Sequence, residues 1–149
     1  MLRIPSLGAL MVGTGISFLA MAQTAMPRID LTIGFLRINA EVAANSDDIR
    51  MGLMHRTSMP AHHGMLFVFP NNAQHCMWMK NTLIPLSVAF LDKTGTILNI
   101  EDMQPQTLNH HCATAPARYA LEMNRGWFAS RGVGPGQRIG GLENAPKPR

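Results

Sequence analysis

The chain has 149 residues, 46% of them hydrophobic, with 13 basic against 9 acidic side chains and two cysteines. That length suits one domain with a core of its own, built without help from metal or disulfide. The basic residues are spread from Arg3 to Arg149 without a block of like charge, so the electrostatic footprint of a nucleic-acid binder is missing.

In chain order, residues 1–22 (MLRIPSLGALMVGTGISFLAMA) hold an early Arg3, an apolar stretch from Ile4 to Ala20 and Ala20-Met21-Ala22 as a cleavage pattern. This is the layout of a secretory signal peptide, and it predicts a periplasmic or secreted protein cleaved near Ala22. The remainder would carry 12 basic against 9 acidic groups, with no later apolar run of the roughly 20 residues that a membrane span needs. Residues 23–28 read as a linker, 29–141 as a single domain and 142–149, with two prolines, as a disordered tail.

Ile29 to Ile33 alternates apolar and polar residues at period two, and Ile38 to Val42 repeats the pattern after Gly34, which predicts two strands. Asn45 followed by Asp47 and Asp48 predicts a capped helix running to His55, with Ile49 and Leu53 on its buried side. Met65 to Phe69 is continuously apolar, the pattern of a strand covered on both faces, and Pro70-Asn71-Asn72 ends it. Further strands are expected at His75–Met79, Leu86–Leu91, Thr96–Ile100, Arg118–Met123 and Arg138–Ile139, with a helical turn between Gly126 and Gly132. Many short strands with one short helix predict a mainly β (α+β) fold, a compact antiparallel β-barrel or sandwich.

The blocks Gly52-Leu53-Met54-His55-Arg56, Gly64 to Phe69, Trp78-Met79-Lys80-Asn81-Thr82-Leu83-Ile84-Pro85-Leu86, Ala89-Phe90-Leu91-Asp92 with Gly95, and Tyr119 to Met123 with Gly126 occur in order. Together they resemble the domain of unknown function 192 family over about residues 35–141. The resemblance implies a small β-rich domain, often exported in bacteria. It implies no established activity or cofactor, so no catalytic residue is carried over. Where family members commonly show Gly-Asp near the last strand, this chain has Gly136-Gln137.

Cys76 and Cys112 are an even pair in an exported chain, which predicts a disulfide. In a strand, His75, Met77 and Met79 face one way while Cys76, Trp78 and Lys80 face the other. With Trp78 on the core side, Lys80, Asn81 and Thr82 would stand at the lip of a ligand site, offering a cation, an amide and a hydroxyl, with Arg56 or Glu122 nearby. The alternative for the same residues is a turn in which Asn81 bonds its own backbone and Lys80 is solvated or pairs with Glu122. His75, Met77 and Met79 are also soft ligands that suit copper, with His62 and His63 or His110 and His111 completing the set.

Hydrolase motifs are missing, although His110 or His111 with Asp102 and a serine is a conceivable triad. The leading expectation is a non-catalytic module that binds a small ligand or a periplasmic protein. The alternatives are a periplasmic copper protein and an enzyme with an unrecognised active site.

Overall fold

The computed structural model describes residues 25–149. The expected signal peptide and its cleavage point lie outside the described residues. Eight strands follow in order: β1 (Arg28–Ile33), β2 (Leu36–Ala43), β3 (His63–Ala73), β4 (Cys76–Met77), β5 (Leu86–Leu91), β6 (Ile97–Met103), β7 (His111–Cys112) and β8 (Ala117–Asn124). One short helix, α1 (Ser46–Met51), sits between β2 and β3, and two 3-10 turns cover Ala129–Arg131 and Leu142–Asn144.

Six strands form one sheet in the order β1-β2-β3-β8-β5-β6, and β4 pairs with β7 in a second, two-stranded sheet. Every pair in the large sheet is antiparallel except β2 with β3, which is parallel because α1 and its following loop carry the chain across between them. The fold is thus mainly β, as expected. The sheet is not a continuous closed barrel. The segment after Pro135 hydrogen-bonds to both of its edges instead: Gly140 and Thr32 exchange backbone bonds at 2.8 and 3.1 Å, while Ile97 N–H donates to Gln137 at 2.9 Å and Ile139 N–H to Gly95 at 2.9 Å. The last expected strand, Arg138–Ile139, is reduced to isolated bridges by this double role.

The central strands are covered on both faces, which explains their continuous apolar runs. One face packs Leu31, Ile38, Leu66, Ala89, Leu121 and Met123 against Trp127, Phe128, Val133 and Ile139 of the C-terminal segment. The other packs Met65, Phe67, Val88, Phe90 and Ala120 beneath Leu53, Met79, Ile84 and Ala113. Gly64 pairs with Met123 where β3 lies beside β8, and a Cβ there would stand 2.7 Å from the Glu122 carbonyl oxygen, so only glycine permits the approach.

Several boundaries differ from expectation. The helix ends at Met51, because Gly52 (φ 48°) turns the chain out of the helical region and its N–H closes on the Asp48 carbonyl. Asn45 caps the helix as predicted, accepting from the N–H groups of Asp47 and Asp48. Strand β3 runs on through Pro70 to Ala73, with an irregularity after Val68 that lets the proline sit without a ladder donor. In the segment expected as a tail, Leu142 and Ala145 pack on the core, and Arg149 N–H donates to the Ala44 carbonyl at 2.8 Å.

Candidate functional site

The expected disulfide is present. Cys76 and Cys112 are directly opposed partners of the β4–β7 pair and are bonded, and neither cysteine is free. The orientation expected for the strand around it is reversed. Met79 is fully buried in the core beneath β5 and β8, Met77 packs against that core, and the His75 ring stacks on Phe69 at 3.8 Å with Nε2 3.0 Å from the Asn71 carbonyl oxygen. Trp78, expected inside, is 42% exposed, and Cys76 and Lys80 on the same side of the segment are exposed too. The physical reason lies at Met79, whose backbone is tied to Thr107 and Thr82 so that its side chain points under the sheet's cover. Alternation at period two then carries Trp78 outward.

The Lys80-Asn81-Thr82 break is a turn. Asn81 is exposed with φ 55°, a left-handed geometry that asparagine tolerates, and its carbonyl accepts the N–H of His55 at 2.9 Å. Lys80 is also exposed, and its ammonium lies 5.4 Å from the Trp78 ring centroid, within cation–π reach and not paired with Glu122. Thr82 alone of the three turns inward. It is 5% exposed, and its hydroxyl makes one long bond, to the Lys80 carbonyl at 3.3 Å.

Thr82 meets Glu122 at a small cavity. Glu122 is the one acidic residue of β8, flanked in register by Met65 on β3 and Val88 on β5, so its side chain enters the apolar layer on that face. It is 3% exposed, and among the described residues its carboxyl has no hydrogen-bond or ion-pair partner. Burial alone raises its pKa from 4.5 to about 8. The cavity it faces has a volume of about 30 Å³, enough for one or two water-sized groups. Phe67, Leu53 and Gly52 line it on one side and Met77, Trp78 and Thr82 on the other. Gly52 is needed there twice, for its positive φ and because a Cβ would press on the Phe67 ring at 3.3 Å. Exposed Trp78 and Met51 stand at the mouth.

Arg56 belongs to a different place. Its guanidinium binds Glu41 through two nitrogens, and Arg28 adds a third bond to the same carboxylate at 2.6 Å. The Arg56 hydrogen bonds, against some desolvation, hold Glu41 below its ordinary pKa. These three residues, with Met26, Asp47 and Asp48, border an open cleft of about 640 Å³ on the other side of α1. Glu41 was not legible as a partner, because its apolar neighbours Ala40 and Val42 mark only a strand. Of the conceivable triad, Asp102 accepts from Ser87 at 2.5 Å and pairs with Arg125 at 3.6 Å, while His111 faces Glu101 at 3.9 Å. Ser87 and Asp102 thus meet, but among the described residues neither His110 nor His111 bonds to either of them. Gln137, at the position where the family commonly shows an acid, uses its side-chain oxygen to accept the Gly134 N–H and close a turn.

The chain belongs to the DUF192 family (Uncharacterized ACR), whose pattern it matches over residues 29–141. Among solved structures it is similar to a protein of Sinorhizobium meliloti described as a candidate transcription regulator, at 33% identity and a TM-score of 0.75, covering 80% of this chain and 98% of that one. It is also similar to a protein of unknown function from Novosphingobium aromaticivorans, at 28% identity and a TM-score of 0.69, covering 86% of this chain and 99% of that one. A search among curated proteins returns no match.

Proposed function

We propose that this DUF192 member is a non-catalytic ligand-binding domain that works outside the cytoplasm, and that its site is the cavity between Glu122 and the Trp78–Thr82 turn. One observation carries the reading. Leaving a carboxyl buried, unpaired and facing a hollow costs folding free energy on the order of a few kcal/mol, a penalty that an apolar side chain of similar size would avoid. A group kept at such cost supports binding better than it supports scaffolding.

The Cys76–Cys112 disulfide supports an oxidising compartment. No helix among the described residues is long and apolar enough to cross a membrane.

Amide-resolved NMR of the full chain against mixtures of small fragments tests the site. Shifts should cluster at Gly52–Met54, Met77–Thr82 and Glu122. Hits that cluster at the Arg28–Glu41–Arg56 cleft instead, or nowhere, would reject it.

A further inference from the structure

Among the described residues the cavity lining holds a single acid, Glu122, and no cation that pairs with it. The remaining lining is apolar, aromatic or thioether apart from the Thr82 hydroxyl and Arg50. Arg50 is exposed and already ion-paired to Asp47 at 2.6 Å. An anionic ligand would meet the carboxylate at close range without compensation, so charge complementarity points to a cation.

Size restricts the choice further. About 30 Å³ admits a head group the size of a water or slightly larger, which a primary ammonium is and a guanidinium, with four heavy atoms in a plane, is not. Three N–H donors on one tetrahedral nitrogen also suit a carboxylate and a threonine hydroxyl offered from different directions. The mouth supplies a place for the rest of the molecule: Trp78 at 42% exposure and Met51 at 48% form an apolar lip beside Met77. The Trp78 ring is suited to cations, since it already holds the Lys80 ammonium at 5.4 Å.

On these grounds, and resting on the pocket reading above, we infer that the ligand is a primary amine with an apolar body, its ammonium seated between Glu122 and Thr82 and its hydrocarbon laid along Met51, Met77 and Trp78. Binding then requires the carboxylate and displaces its proton. With the Glu122 pKa at about 8, amine affinity rises about tenfold per pH unit up to that value and levels off above it. An alkylammonium stays charged throughout this range, as a lysine does with its pKa of about 10.4. The titratable and charged groups of the surrounding elements are Asp47, Asp48 and Arg50 on α1, His55 and Arg56 in the loop after it, His63 on β3, Lys80 in the turn, and Arg118 and Tyr119 on β8, and none of them pairs with Glu122. Arg50 and Lys80, the two cations nearest the mouth, are both exposed.

The test is calorimetric titration of the full chain with hexylammonium, hexylguanidinium and hexanol between pH 6 and pH 9, in two buffers of different ionisation enthalpy. The expected result is saturable binding of hexylammonium at least tenfold tighter than the other two, with release of a proton below pH 8. Glu122→Gln should weaken amine binding at least tenfold while binding of hexanol is unchanged. Trp78→Ala, an exposed position whose loss leaves the fold intact, should weaken the amine about fivefold, and this variant keeps the test open if Glu122→Gln fails to fold. Hexanol or hexylguanidinium bound as tightly as the amine would overturn the amine assignment while leaving the pocket standing. If none of the three binds, or if binding is insensitive to both substitutions, the pocket reading falls together with the amine.

Discussion

Glu122 on β8 and Glu41 on β2 are two buried or half-buried acids of one sheet, separated by β3, and their pKa values shift in opposite directions. Glu122, raised to about 8 by burial, keeps a proton in the folded chain that the unfolded chain gives up near 4.5. Between those values the native state binds more protons than the unfolded state, so its stability falls as pH rises. Glu122→Gln should therefore be close to neutral at pH 4 and stabilising by a few kcal/mol at pH 8, read by urea denaturation at both pH values. Equal pH profiles for the two proteins would show that the carboxyl is solvated after all. Glu41 runs the other way: held low by Arg56, it stabilises the fold above its unfolded pKa and loses that contribution as pH falls. With Arg28 and Arg56 each more than a third exposed, Glu41→Gln should cost only about 1 kcal/mol at pH 7 and nothing well below pH 4. At this scale the sequence was half legible. Thr82 and Glu122 were named together and do share a cavity, but Lys80, Asn81 and Arg56, which were named with them, lie outside it. Polarity marks a residue as chemically capable and carries no information on which way a turn will aim it.

The β4–β7 pair shows the same limit one level up. Cys76 and Cys112 were readable as a bridge because two cysteines allow only one pairing. The faces of the strand beside them were not, since a period-two pattern is symmetric until something outside the strand fixes which side is core. Here the fixing element is the Met79–Thr82 turn, and β4 itself contributes only two residues. So small a sheet depends on its covalent link. Replacing both cysteines with serine opens a link between residues 36 positions apart, and should cost roughly 3–4 kcal/mol in the chain-entropy picture, measured by chemical denaturation. Because Met77 and Trp78 follow directly on Cys76 and line the cavity, amide exchange should quicken at residues 76–80 and 110–113 before the rest of the sheet. Uniform exchange across the molecule would mean that the bridge stabilises the whole fold without holding the lip. The α1 cap is a simpler case that was read directly: Asn45→Ala should cost about 1 kcal/mol, because two N–H groups lose their acceptor.

For the whole molecule, the decisive feature is how a six-stranded sheet with two open edges is kept from pairing with other chains. Local patterning predicted the strands well because the central three are buried on both faces, and their composition follows from that burial. It marked a short strand at Arg138–Ile139 but not the reach of residues 136–149, since glycine- and proline-rich segments carry little periodicity to read. In the fold these residues act at long range. The stretch from Gly136 to Gly140 bonds to β1 on one side and to the β5–β6 hairpin on the other, Ile139 enters the core, and the last residue bonds to Ala44 at the end of β2. Gly95 allows this contact, with a carbonyl of the segment 2.8 Å from where its Cβ would stand. A chain ending at Pro135 would expose the backbone of both edges and uncover the apolar face around Leu31 and Ile97. It should retain most of its strands by circular dichroism yet associate at micromolar concentration, seen as rising mass in light scattering. A chain ending at Leu142 keeps the bonds to both edges and should stay monodisperse, with a loss of stability limited to the contacts of Ala145 and Arg149. If both truncations behave alike, edge protection resides in the strands themselves, and the terminal segment is packing alone.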